Sequence, residues 1–220
     1  MANKINKEII TEAALEILHE KGISNLTMRN VAAKLKVKAP ALYWYIKNKQ
    51  ELLQLIAEHI SSLIQFPEPR ADWEEEITLL SHATRNAMLS IPDGAEIMMD
   101  TLPTTTKRLH VINRTFEIFH RANFPEEKIF SSVTLINSYV TSFVLDEQKQ
   151  QRMLEEIGIE EVVKKFTDAI MNIPKEDAPY VHRHMLLPEG KINDEHSFLE
   201  GLHIIINGIK ATNKGSSPRA

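Results

Sequence analysis

Apolar residues recur at the three- and four-residue spacing of helices along nearly the whole chain. Ile5, Ile9, Ala13 and Ile17, with Ala14, Leu15 and Leu18, share one face of a first helix, which Lys21-Gly22 closes with a cation and a C′ glycine. Thr27 is placed to N-cap a short second helix with Val31, Ala32 and Leu35 turned inward. Pro40 suits the first turn of a third helix, where its missing N–H costs nothing. Asn48-x-x-Glu51 reads as a capping box opening a fourth helix, over 48–66, that Pro67 and Pro69 end. Further helices are expected over 73–91, 104–122, 125–151 and 159–171. The stretch 174–188, with three prolines, reads as mostly loop with room for one short helix. A last helix is predicted over 195–212, followed by a frayed tail. No segment alternates with the two-residue period of a strand, and no internal repeat is visible. The predicted fold is all-α: a three-helix helix-turn-helix domain over 1–50, a helical core domain over 51–212 and a flexible tail over 213–220.

Charge divides the chain at the same place. The total for 220 residues is −4, which taken whole argues against a nucleic-acid partner. Residues 1–50, however, hold nine basic and four acidic residues, a net of +5, while the remainder holds 17 and 26, a net of −9. From Lys21 to Gln50 there are seven basic residues and no acid. A basic block joined to an acidic remainder implies two modules with different partners.

Composition narrows the chemistry. The absence of cysteine excludes a disulfide scaffold, a thiolate metal site and a cysteine nucleophile, and fits a reducing cytoplasm. The opening Met-Ala-Asn-Lys-Ile-Asn-Lys-Glu has no apolar core, so no signal peptide is expected. The uncharged run from Phe130 to Leu145 is 16 residues long and laced with Ser, Thr and Asn, too short and too polar for a membrane span. Seven glycines form no phosphate loop and no nucleophile elbow. Candidates for an enzyme would be Asp93, Asp146, Glu147 or the His182/His184 pair, but none is spaced with a nucleophile or metal partners. No enzyme, metal site or cofactor is expected.

Two short helices joined by Leu35-Lys36-Val37-Lys38, after a supporting first helix, make a helix-turn-helix pattern. Leu42 and Ile46 are four residues apart and face the core, which turns Tyr43, Trp44 and Tyr45 at least partly outward. Three adjacent aromatics flanked by Lys38, Lys47 and Lys49 are hard to account for on a face meeting only water. Against DNA, tyrosine hydroxyls and ammonium groups reach phosphates, and Arg29 on the second helix can reach a guanine edge. The alternative is that Tyr43 and Trp44 cap a small core while the lysines form a solvated face.

The run Gly22-x-x-x-Leu26-Thr27-x-Arg29-x-Val31-Ala32-x-x-Leu35-x-Val37-x-x-Pro40-Ala41-Leu42-Tyr43-Trp44-Tyr45-Ile46-x-Asn48-Lys49-x-x-Leu52 resembles the DNA-binding domain of TetR-family repressors, a match that covers residues 5–60. Leu42-Tyr43-Trp44 with Lys47-Asn48-Lys49 is most similar to the tetracycline-repressor branch. The resemblance implies a dimeric, all-helical transcriptional repressor released from its operator by a small ligand. It implies DNA contacts at Thr27, Met28, Arg29, Lys38, Ala39, Pro40, Ala41, Tyr43, Trp44, Tyr45 and Lys49. Where this chain has Ala39, Ala41 and Tyr45, tetracycline repressors carry Gln, Thr and His. Alanines touch a thymine methyl but cannot hydrogen-bond a base, so a different operator is expected, with Arg29 its main hydrogen-bonding reader.

Two later helices carry heptad-like seams. Ile129, Val133, Ile136, Val140 and Phe143 step by 4, 3, 4 and 3, and Phe198, Leu202, Ile205 and Ile209 by 4, 3 and 4. Such steps fit the near-parallel packing of a four-helix bundle or a single chain's interior. The Ile204-Ile205-Ile206 run widens the last stripe beyond one neighbour's needs, and the resemblance likewise implies a dimer joined by two helices from each subunit. By the same resemblance the ligand lies near Gln65, Met98, Met99, Asn137, Thr141 and Asp146. Met98 and Asp146 stand where tetracycline repressors use His and Glu toward an antibiotic–magnesium chelate. A thioether is a poor ligand for a hard metal, so another, more apolar effector is expected. Met98 and Met99 as ordinary core filling is the competing reading. Ligand binding would shift the fourth helix and so alter the spacing of the two reading heads. The rivals are a ligand-independent dimeric repressor, with no core cavity of ligand size, and a helical enzyme.

Overall fold

The computed structural model describes residues 5–185 and 194–214, among which there are eleven α-helices and no strand. They are α1 (Lys7–Lys21), α2 (Met28–Lys34), α3 (Ala39–Leu42), α4 (Lys49–Ser62), α5 (Trp73–Leu89), α6 (Gly94–Met99), α7 (Thr106–Arg121), α8 (Glu126–Ile157), α9 (Ile159–Met171), α10 (Pro179–His184) and α11 (Glu195–Lys214). The expected caps at Thr27 and Asn48 form, and Asn6 adds one for α1. Asn6 Oδ1 accepts the Ile9 N–H at 2.8 Å, Thr27 Oγ1 that of Asn30 at 3.1 Å, and Asn48 Oδ1 that of Glu51 at 2.9 Å. The Glu51 carboxylate reaches back to the Lys47 N–H at 2.8 Å, completing the box one residue earlier than its usual partner. Gly22 ends α1 at φ +72°, a conformation open to glycine without cost.

α1 packs on α2 and α4, and α2 on α3. α4 also lies against α5, α6 and α7, while α8 packs on α5, α6, α7 and α11. The apolar core is one continuous cluster from Ile10 to Ile209, carried through α4 by Leu52, Leu53, Ile56, Ala57 and Ile60. α8 is long and apolar enough by length and composition to cross a membrane, yet its Ile129, Val133, Ile136, Val140 and Val144 are buried within the protein. A core helix of a soluble fold passes the same test.

Several bounds differ from expectation for physical reasons. α4 stops at Ser62, where Leu63 turns its N–H onto Ile60 and Ser61, so Gln65 and Phe66 lie beyond the helix and Pro67 is not its terminator. α5 and α7 are each shorter than expected by residues at their ends. α8 runs past Gln151 to Ile157, ended by Gly158 at φ +78°. α6 is unexpected: six residues opening on Asp93-Gly94 give too short a period to read. Gly94 must be glycine, because a Cβ there would collide with the Met88 carbonyl. α11 continues through Asn213 and Lys214, so the tail is shorter than expected, and its remainder, 215–220, lies outside the described residues. The heptad positions serve this chain's own core. Ile129, Val133, Ile136, Val140, Phe198, Leu202 and Ile209 are buried within one protomer, and Phe143 and Ile205 partly so. The apolar side chains left exposed on those two helices are others: Phe130 at 70%, Leu135 at 48%, Met153 at 49%, Ile157 at 39% and Ile204 at 73%.

Candidate nucleic-acid interface and ligand cavity

The α2–α3 unit is built around Leu26, Val31, Ala32, Leu42 and Ile46, all buried. Between the helices Lys36 sits in the left-handed region at φ +55°, and the Val37 N–H bonds back to the Ala32 carbonyl at 3.0 Å, turning the chain toward α3. α3 is a single helical turn, prolonged when the Tyr45 and Ile46 N–H groups both bond to the Leu42 carbonyl. With Leu42 and Ile46 anchored inward, Trp44 is 88% and Tyr43 53% exposed, while Tyr45 packs half-buried on the core. Thr27, Arg29, Lys38, Pro40 and Lys49 are exposed; Met28, Ala39 and Ala41 are half-buried. A tryptophan so fully presented to water beside cations has the makings of a contact surface.

The basic block loses one member. Lys34 Nζ lies 2.8 Å from Glu16 and 2.6 Å from Glu20, so α1's acids neutralise it. Hydrogen bonding to Glu16 and Glu20 holds the Lys34 ammonium above its ordinary range, and the bond from Lys34 holds Glu20 below its own. Lys36, Lys38, Lys47 and Lys49 carry no such ion pair among the described residues. With Lys21 and Arg29, likewise outside any ion pair among the described residues, they are the cations left for an anionic partner.

Behind α4, a partly enclosed cavity of about 170 Å³ lies among α4, α5, α6, α7 and α8. Of the six residues that the resemblance placed near a ligand, Met98, Asn137 and Thr141 line it. Gln65, Met99 and Asp146 are exposed and do not line it. Thr141, Ser61 and Thr84 spend their hydroxyl protons on carbonyls four residues back, whereas the Asn137 carboxamide makes no hydrogen bond to any described residue. Sequence reasoning missed Arg108. It is 8% exposed, and its Nη1 donates to the Thr101 and Leu102 carbonyls at 3.0 and 2.9 Å and to Thr101 Oγ1 at 2.7 Å. Its Nη2 donates to the Met98 carbonyl at 3.0 Å. Burial pushes this guanidinium below its ordinary range, against a weaker opposing pull from Glu58. The signal was its register: 108, 111, 112, 115, 118 and 119 form one stripe of α7, and the arginine continues it.

The carbonyls that Arg108 holds belong to a segment that α4 holds too. Gln50 Nε2 donates to the Asp100 carbonyl at 2.6 Å, and Gln54 Nε2 to the Leu102 carbonyl at 3.0 Å. A second tie joins the reading head to α8. Asp93, at φ +59°, accepts the Ile23 N–H on Oδ2 at 2.8 Å and pairs with Arg152 through Oδ1 at 2.8 Å. Gln148 beside it accepts the Ala95 N–H and donates to the Met88 and Ile91 carbonyls. These groups border a cleft of about 640 Å³ between the end of α1 with the turn after it and the end of α5 with α8. Of the two histidines in the Pro-bounded segment, His182 shares its Nε2 with the Ile173 carbonyl at 2.7 Å, and His184 is exposed. No group of three or more metal-binding side chains occurs among the described residues.

Comparison with known proteins agrees with this geometry. Residues 10–56 match the family described as bacterial regulatory proteins, tetR family, and residues 66–213 match the tetracyclin repressor-like C-terminal domain. The chain is similar to the tetracycline repressor protein class D of Escherichia coli, with 27% identity over 94% of this chain and 90% of that one. It superimposes on the TetR-family protein ActR of Streptomyces coelicolor, solved with actinorhodin, with a TM-score of 0.84 at 24% identity over 97% and 99% of the two chains. It also superimposes on a single-substitution variant of TetR from Acinetobacter baumannii AYE, solved with minocycline, with a TM-score of 0.70 at 27% identity over 96% and 99%. An exposed basic and aromatic reading head, a core cavity and matches to both domain profiles converge: the chain belongs to the TetR family of bacterial transcriptional regulators.

Proposed function

We propose that this protein is a cytoplasmic, dimeric repressor that grips a palindromic operator with α2, α3 and the first turn of α4. A small molecule in the α4–α8 cavity releases it. The observation that carries the reading is that α4 belongs to both sites. Its N-terminus presents Lys49 beside the exposed aromatics of the reading head, and its C-terminal half contributes Ser61 to the cavity. A ligand with different affinity for two positions of α4 therefore shifts the reading heads relative to each other. Arg29 reads a base, Thr27, Lys38, Tyr43, Trp44 and Lys49 hold the backbone, and Met28, Ala39, Pro40, Ala41 and Tyr45 shape the contact. Exposed Phe130, Leu135 and Ile204 on α8 and α11 supply apolar surface for the partner protomer.

The effector is a molecule other than tetracycline–magnesium. Met98, Asn137 and Thr141 line the cavity with no carboxylate or imidazole beside them, and the charged group present is the Arg108 cation. That is a poor setting for a hard divalent ion. A ligand-independent repressor has no use for a cavity beside the helix that carries its reading head, which favours the ligand-responsive reading. The protein acts by binding, without turnover.

Fluorescence anisotropy with the duplex that the protein selects tests this reading. Log affinity should fall linearly with log salt, by about 0.9 for each phosphate contacted. Arg29→Ala should cost about 1–3 kcal/mol and relax preference at one base pair per half-site, whereas Lys49→Ala should lower the salt slope by about one without changing preference. Salt-insensitive binding, or an Arg29→Ala variant with undiminished base preference, would refute it.

A further inference from the structure

A buried cation needs an opposing charge, and Arg108 lacks one in contact. Its hydrogen bonds all go to neutral oxygens, those of Met98, Thr101 and Leu102. Glu58, whose charge acts on it, forms no ion pair with it, and both Glu58 oxygens accept the Lys107 N–H instead. The carbonyl end of α6 offsets part of the charge, but a helix end carries at most about half a unit, and α6 has only six residues. The rest is uncompensated in a setting where unpaired charge is costly. The Arg108 Nε–H donates to no described residue, and neither does the Asn137 carboxamide. The other lining is largely apolar: Met88, Ile64, Val111 and Ile112. About 170 Å³ is near the size of cavity that accommodates one benzene ring.

Building on the ligand-responsive reading above, we infer that the cavity's effector is a small carboxylate: an anionic head read by Arg108 on an apolar body the size of a single ring. A carboxylate accepts the free Nε–H and competes with the Met98, Thr101 and Leu102 carbonyls for the guanidinium. The Leu102 carbonyl is also held by Gln54 from α4, and the Asp100 carbonyl that Gln50 holds lies between the others, so drawing Arg108 away loosens the segment against which α4 is braced. Recognition and release then use the same side chain.

Calorimetry and thermal shift of the full-length dimer with benzoate and with benzamide, its neutral near-isostere, test the assignment. Benzoate should bind the wild-type protein about tenfold or more tighter than benzamide, the range of a charge-assisted hydrogen bond. Arg108→Gln should abolish that preference and Arg108→Lys retain part of it. Should Arg108→Gln fail to fold, the wild-type ratio decides alone. A wild type that binds benzoate no better than benzamide, or not at all, overturns the assignment, as does a folded Arg108→Gln variant that keeps the preference. The two levels separate by including the selected operator duplex. Salt-sensitive operator binding without carboxylate preference removes the carboxylate only, whereas no operator binding removes the repressor reading itself.

Discussion

At the scale of single residues, charge placed in the interior divides structural from functional groups. Glu76 is fully buried on α5, yet Arg114 lies 2.9 Å from Oε1, Arg121 2.5 Å from Oε2, and the Arg70 N–H donates to it at 2.9 Å. Burial raises its pKa, but the Arg121 bond and the positive surroundings win and hold it below the ordinary carboxylate range. A carboxyl depressed in the folded state contributes stability that is present above its unfolded pKa and lost as pH falls through the folded one. Glu76→Gln should therefore cost about 3 kcal/mol in urea unfolding at neutral pH, since it removes the buried charge that Arg114 and Arg121 share, and the gap from wild type should narrow in acid. A constant gap across pH would contradict this. Arg108 differs because no carboxylate closes its circuit. Both residues sit where an apolar periodicity predicts a hydrophobe, so a charge in that register reads from sequence as surface. That is why the reading head was legible and the cavity only partly so. Trp44 and the lysines announce themselves by exposure, whereas Arg108 becomes a candidate only once α7 is seen to turn it inward. Asp146, placed near the ligand by resemblance, is exposed to solvent on α8.

At the scale of elements, long periodic segments were legible and short or shared ones were not. α1, α8, α9 and α11 follow their stripes, while α6 has six residues and is held by partners far along the chain. Gln148 supplies the Ala95 N–H with an acceptor and takes the carbonyls of Met88 and Ile91, contacts with no local signature. The heptad steps of α8 and α11 likewise meant close helix packing, but could not say which helices would meet. The seam closes around an aromatic group, Tyr139, Phe143 and Phe198, with the Tyr139 hydroxyl donating to the Phe198 carbonyl at 2.8 Å. Gly201 lies directly under that hydroxyl, and a Cβ there would overlap it. Gly201→Ala should consequently destabilise the protein by about 1–3 kcal/mol despite alanine's better helix propensity, with a change in near-ultraviolet tyrosine dichroism. A stabilised variant would show that α8 and α11 are not packed this way.

For the whole molecule, the −4 total charge hides an arrangement rather than describing one. The acid-free run from Lys21 to Gln50 forms the α2–α3 unit and its flanks, its charge reduced by the capture of Lys34 on α1. That unit is joined to the acidic remainder by α4 and by the Asp93 contacts with Ile23 and Arg152. One short reading helix offers too little surface for tight, specific binding, so two copies must act together on one duplex. Selection from a pool of random duplexes by the full-length protein is the most direct test of this account. It predicts an inverted repeat whose half-sites are centred about one helical turn apart, or a multiple of it, and which differs from the tetracycline operator. An unpaired half-site, the tetracycline operator itself, or no enriched sequence would contradict it.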